Sequence, residues 1–459
     1  MNPRLLLLPT ALLLGSCRIG PDFKLPLASG SNQWKETRNS TTQHLPDDWW
    51  KLFGDAKLNR LVARSLAANN DLAAAKARVE TARALVGVDR ARLFPTLDVA
   101  ASAGIDRTSG HVASLPFMKL TNEDYRGSFK LAYDPDLWGR NRRLLESSTA
   151  QADASAALFD AQRLGLATEV ARQYFVLRGL DVQDAVVRDT LVSRKEALDL
   201  QQTKTDAGLT DGLATSRART ELELANNDLA VVQRQRGSAE HALAVLCGSR
   251  PADFALPAKV VNPPLPTILA GLPASVLLRR PDVRAAALHL RAVNAQIGVA
   301  QTAFYPNFSL LGEAGLESLN AANFLSAESR ILSLGAGAVA PVFNAGANQS
   351  RLAAARSSYD EALAGYRQTL LVALREVEDA LADLKGLARS RSALDAALAS
   401  SKDTRQLSQE RYNQGLTSYL EVVDADRTVL QTRLALSAVD AQHRISLAAL
   451  AKALGGGWK

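Results

Sequence analysis

The stretch Ala84–Gly104, ALVGVDRARLFPTLDVAASAG, is written a second time as Ala295–Gly315, AQIGVAQTAFYPNFSLLGEAG. At one constant offset Gly87 falls on Gly298, Pro95 on Pro306 and Gly104 on Gly315. Further along, TDAGLTD around Gly208 matches YNQGLTS around Gly415. Self-similarity of this kind means one structural plan used twice. The first copy is read over 17–250 and the second over 277–459, with a proline-rich linker over 251–276.

Within each copy a helical segment gives way to a pair of short alternating segments and then to a very long block. Proline is absent from 136 to 250 and from 342 to 459, so nothing there breaks a helix. The blocks are read as long helical hairpins over 141–247 and 346–454. In the second, Leu363, Leu370, Leu374, Val377, Leu381 and Leu384 follow the heptad spacing of a coiled-coil seam. Leu166, Val170, Tyr174 and Leu177 form a looser version in the first. About 65 residues of helix extend roughly 100 Å, more than a globular domain needs.

The alternating segments are expected as strands at about 96–105, 125–134, 307–316 and 330–343. About ten residues is what a tilted strand needs to cross a bilayer. Inside a bilayer an open sheet edge leaves backbone donors unsatisfied, so spanning strands must close into a barrel. Four strands cannot close, because bacterial barrels begin at about eight. Copies of the chain must therefore share one barrel, and an open lumen favours three or more copies.

The front end fits an envelope protein. Leu5–Leu14 is an apolar run behind Arg4, too short to span and suited to a signal-peptide core, so 1–16 is read as a lipoprotein signal peptide. Leu14-Gly15-Ser16-Cys17 reads as a lipobox, with Cys17 lipidated and becoming the mature N-terminus. Several acyl chains on one residue anchor firmly where a single chain does not. Arg18 is not the Asp that tends to hold bacterial lipoproteins at the inner membrane, which favours the outer one. Cys247, the other cysteine, reads as a core-facing thiol.

Other functions find little support. The 459 residues are 47% hydrophobic and only 5% aromatic, pointing to closely packed helices. The net charge of +7 comes from Lys and Arg interspersed with acids, without a basic cluster, so no nucleic-acid partner is expected. The five histidines show no ligand spacing, and there is no phosphate loop or catalytic constellation. The expectation is a non-enzyme with no metal and no cofactor beyond the covalent lipid on Cys17.

In this order, several motifs resemble the outer-membrane factors of tripartite efflux systems, the TolC-like channels, and most closely their lipoprotein branch (NodT- or OprM-like). They are CRIGPDFKLP (17–26), WWKLFGDAKLNRLVARSLAANNDLAAAKARVETARA (49–84), LAYDPDLWGR (131–140), LLRRPDVRAAALHLRAVNAQIGVAQTAFYPNFSL (277–310), RYNQGLTSYLEVVDADRTVLQTRLAL (411–436) and ALGGGW (453–458). Ala287, the Asp134-Pro135 pair and Asp426 depart from the family pattern.

The resemblance implies an α+β membrane protein. As a homotrimer it forms a twelve-stranded barrel in outer-membrane lipid, continued by a periplasmic α-barrel. It implies passive export of drugs or other small toxic compounds, delivered by an inner-membrane pump through a periplasmic adaptor. Gly208, Leu209, Thr210, Gly415, Leu416 and Thr417 would be the hairpin tips that meet the adaptor. Leu420, Asp424 and Arg427 would gate the pore; their spacing puts them on one helical face. Three copies would then set an apolar ring and an acidic ring around the axis, and Arg427 would hold the closed state by pairing across helices. Alternative readings keep the fold for metal-ion efflux or type I protein secretion, or make the chain a non-channel coiled-coil lipoprotein spanning the envelope.

Overall fold

The computed structural model describes residues 18–26, 34–36, 45–109, 111, 121–260, 265–268, 270 and 279–457. Cys17 and the signal peptide, and with them the lipidation reading, lie outside the described residues, as does part of the linker.

Each copy opens on helices. In the first, Asp55 caps α1 (Ala56–Ala68), its carboxylate accepting from Lys57 N at 2.8 Å and Leu58 N at 3.2 Å, and α2 (Asn70–Ala91) follows. In the second, α5 (Pro281–Thr302) takes the place of α2, with proline at its first position where the missing N–H costs nothing. Pro95 and Pro306 then stop each helix just before a strand.

The strands are β1 (Thr96–Arg107), β2 (Thr121–Tyr133), β3 (Asn307–Ser318) and β4 (Arg330–Val339). They form one antiparallel sheet in the order β1-β2-β3-β4, so the central β2–β3 pair joins the two copies. Their ends differ from expectation. β2 begins four residues early because the polar Thr121–Asp124, which resembles a connection, ladders onto Gly104–Arg107. β1 and β3 run two residues further, and β4 stops at Val339, just before Pro341, which has no N–H to give a ladder.

Register separates the side chains into two faces. Leu97, Val99, Phe129, Leu131, Leu332 and Leu334 share one, all of them exposed. Asp98, Arg126, Lys130, Glu313 and Glu317 share the other, where Arg126 grips Glu313 through two bonds (2.8 and 3.2 Å) and Ser128 adds a third at 2.6 Å. A soluble sheet buries its apolar face; this one turns it outward, while β1 and β4 remain unpaired edges within the chain.

The long hairpins have the same dimensions in both copies. α3 (Arg140–Asp206) and α6 (Ala347–Asn413) each have 67 residues, and α4 (Gly212–Leu246) and α7 (Tyr419–Ala453) each have 35. Their starts are tied alike: Asn141 Nδ2 donates to Arg92 O and Asn348 Nδ2 to Ala303 O, the chain just past α2 and α5. Capping differs. Buried Asp136 accepts from Asn141 N (2.9 Å) and Arg142 N (3.0 Å), whereas the matching position before α6 is Phe343, which has no side-chain acceptor.

The chain divides into two compact units that do not coincide with the sequence copies. One takes Met1–Pro26, Arg78–Ala156 and Ala285–Tyr366 and holds the sheet. The other takes Leu27–Ala77, Ala157–Arg284 and Arg367–Lys459 and holds the main apolar core. Both draw on both copies: β2 pairs with β3 in the first unit, and residues of α3, α4, α6 and α7 share the core of the second. In that core Val170, Tyr174, Leu177 and Val377 of the heptad-like runs meet Trp49, Phe53, Leu58 and Leu450. Burial pushes the Tyr174 hydroxyl up to about 12, and it donates to Asp55. Cys247 is a fully buried free thiol in the same core.

Candidate functional site

Both hairpins reverse on the same device. At the end of α3, Gly208 takes a left-handed φ of 68°; its N–H donates to Thr205 O (2.9 Å) and that of Leu209 to Lys204 O (2.8 Å). At the end of α6, Gly415 at φ 71° donates to Tyr412 O (3.0 Å) and Leu416 to Arg411 O (2.9 Å). These paired bonds satisfy the last carbonyls of a helix, and glycine enters the left-handed region without a Cβ penalty. Each turn then presents an exposed leucine, Leu209 at 78% and Leu416 at 66%, followed by the half-buried Thr210 and Thr417.

Behind the turns the two hairpins pack together. Ala214 and Ala218 of α4 meet Tyr419, Val422 and Val423 of α7, with Leu198 and Tyr412 alongside. Tyr412 donates to the buried Gln201 at 2.9 Å, and the Lys204 ammonium lies 4.7 Å above the Tyr412 ring. Burial, reinforced by the nearby Asp426 carboxylate, pushes the Tyr419 hydroxyl up to about 12 and keeps it neutral.

The structure brings Leu420, Asp424 and Arg427 to the exposed side of α7, opposite the buried Val422 and Ala425. Leu420 is 39% exposed and the Asp424 side chain 61%. Arg427 lies 3.6 Å from Asp424 and reaches across to α4, where its Nε donates to Glu221 Oε1 at 2.9 Å. Glu221 is buried and is also held by Arg194 of α3, at 3.1 Å to its carboxylate and 2.6 Å to its main-chain carbonyl. The bond to Glu221 raises the Arg427 pKa above its ordinary value, so this guanidinium keeps its charge throughout the physiological range. Asp426 turns away, as its helical phase requires, to pair with Arg405 of α6.

Glu221 and Arg194 are functional candidates that the sequence reading missed. A signal existed for the first. Ala214, Ala218, Glu221 and Ala225 are four buried positions on α4 at 4-3-4 spacing, so Glu221 is the lone acid in an alanine seam. A buried carboxylate demands a cationic partner. Chemically the arrangement is a latch: one buried acid joins α3, α4 and α7 through two guanidinium groups, next to an exposed leucine and an exposed aspartate. Among the described residues, no group of His, Cys, Asp and Glu could hold a metal ion.

The model of the outer membrane efflux protein family matches residues 61–249 and 272–456, one block in each copy. The outer membrane protein OprJ of Pseudomonas aeruginosa is 33% identical over 452 residues, covering 98% of this chain and 94% of OprJ. The solvent efflux pump outer membrane protein SrpC of Pseudomonas putida is 32% identical over 456 residues, covering 97% of each chain. Among solved structures, the outer-membrane channel OprN superimposes with a TM-score of 0.88 at 31% identity, covering 96% of this chain and all of that one.

Proposed function

The chain belongs to the outer membrane efflux protein family and is an outer-membrane efflux channel, and on that premise we propose that it works as a homotrimer whose twelve strands close one barrel. The sheet carries this reading: four strands of bilayer-crossing length, an apolar face turned outward, a charged face opposite it and an unpaired edge on either side. An edge left open in lipid costs about several kcal/mol for each unsatisfied group, and pairing β4 of one copy with β1 of the next removes both edges. The polar face then lines the lumen. The long hairpins of three copies continue it as a helical duct.

Cargo enters from an inner-membrane pump through a periplasmic adaptor, and the family role is transport, not catalysis. A relative named for solvent efflux supports small organic molecules as cargo. The glycine turns, with Leu209 and Leu416 exposed, are the points offered to the adaptor, and Thr210 and Thr417 flank them. Leu420 and Asp424 form the constriction, with Arg427, Glu221 and Arg194 as the latch beside it. Cys17, acylated, adds a lipid tether beside the barrel. The test is the native mass of the protein extracted in detergent from outer membranes. A trimer is expected; a monomer, or release by washing without detergent, removes the shared barrel.

A further inference from the structure

The residues directly after Cys17 do not behave as a loose tether. Arg143, near the start of α3, is 1% exposed, and its guanidinium is spent on this segment: it donates to Ile19 O at 3.0 Å, Gly20 O at 2.9 Å and Asp22 at 3.2 Å. Asn294 of α5, also buried, donates to Pro21 O at 2.9 Å. Ile19 N–H donates to Trp138 O at 3.2 Å, and Arg18 pairs with Glu146, which also accepts from Arg143 at 2.8 Å. Most of these bonds read main-chain carbonyls, so they recognise a backbone path more than side chains.

Two glycines let that path in. Gly20 has a φ of 109°, and a Cβ there would lie 2.5 Å from Gly298 Cα. A Cβ at Gly298 would lie 2.9 Å from Ile19 O and 3.0 Å from the Arg143 side chain. Gly298 is one of the repeat-defining glycines, but at Gly87, its partner in the first copy, nothing lies within 4 Å of a Cβ. The repeat alone therefore does not explain the closeness at Gly298; the segment does.

We propose that the surface made by α3 and α5 is a binding site for the chain's own mature N-terminal segment, residues 18–23, with Gly20 as the residue that admits it and Arg143 as the residue that holds it. The segment is a strap between the first copy (α3) and the second (α5). Docking needs no lipid. Where Cys17 is acylated, the strap also fixes the point from which the acyl chains enter the membrane; that consequence alone rests on the lipid reading above.

Trypsin tests this on the full mature chain in detergent, because Arg18 and Lys24 are cleavable and both lie in or beside the strap. Cleavage of a docked segment follows the population of its open form. Loss of the N-terminus, followed by intact mass, is expected to be slow in the wild type and at least about tenfold faster in Arg143→Met, which loses several charge-assisted bonds at once. A chain carrying Cys17→Ala behind a cleavable non-lipoprotein leader is expected to match the wild type. Should Arg143→Met fail to assemble, Asn294→Ala removes one bond and is expected to accelerate cleavage about threefold. Wild-type cleavage at Arg18 as fast as in these variants overturns the strap. So does rapid cleavage of the lipid-free chain, which would make the lipid, not the protein surface, the holder of this segment.

Discussion

At the two hairpin tips the backbone is the same and the chemistry is not. Gly208 and Gly415 adopt the same left-handed turn with the same pair of closing bonds. Just beyond, the positions that carry Leu213, Arg217 and Thr220 in the first copy carry Leu420, Asp424 and Arg427 in the second. A helix reversal must satisfy its terminal carbonyls, and few backbone paths do so, whereas exposed side chains beyond the turn are under no such packing constraint. Duplication therefore kept the turn and released what surrounds it. In the proposed trimer this leaves three acidic groups at the constriction instead of six, with the cationic Arg217 at the matching position of the first tip.

The sharpest way to break that contrast is to remove the gate from one tip at a time. Replacing Leu420 and Asp424 together with serine is expected to raise resting conductance in planar bilayers by at least about threefold, since an apolar constriction and a charged ring both limit flow. Leu213→Ser with Arg217→Ser, the matched change at the first tip, is expected to leave it unchanged. Equal opening by both pairs would place the constriction on neither tip in particular and end the assignment to α7.

A second contrast lies inside the latch. Arg194 and Glu221 are both buried, while the Arg427 side chain is 45% exposed. Removing one partner of a buried pair leaves an uncompensated charge and costs about 3 kcal/mol, whereas an exposed partner is worth about 1 kcal/mol or less. Arg194→Met should therefore lower the unfolding midpoint of the detergent-extracted protein clearly, and Arg427→Met only slightly. This division suits a latch whose outer half opens while its inner half holds α3 and α4 together. Equal losses would mean that Arg427 is structural and not the movable part.

The difference between what the sequence disclosed and what it hid has the same origin. Long helices, turns and strand pairs were legible because proline, glycine and heptad spacing act locally, and because each appears twice. Strand ends were less so: Thr121–Asp124 has the composition of a loop and becomes strand only because β1 is there to pair with it. Asp136 went unread because its role depends on a left-handed backbone (φ 47°) that folds its carboxylate onto Asn141 N and Arg142 N. The latch was half visible. Leu420, Asp424 and Arg427 share one helix face, but their partner Glu221 sits on another hairpin, 206 residues away, and its pairing with Arg427 exists only after the two copies pack.

The smallest expected effect probes the shared part of the comparison. Nothing lies within 4 Å of a Cβ placed at Gly208 or at Gly415, so alanine at either position meets no steric obstacle and feels only the left-handed backbone. Each Gly→Ala change should then cost about 1 kcal/mol, and the two costs should be equal, because φ differs by only a few degrees. Asparagine, which tolerates this region better than other side chains, should recover part of the loss at both sites. The measurement is the unfolding midpoint of each single variant in the same detergent. A penalty at Gly415 well above that at Gly208 would show that the second turn is held by more than its backbone, for instance by the Tyr412–Tyr419 contact at 5.5 Å beside it. In that case the two tips would differ in geometry as well as chemistry, and the turn itself would have to be counted as part of the gate.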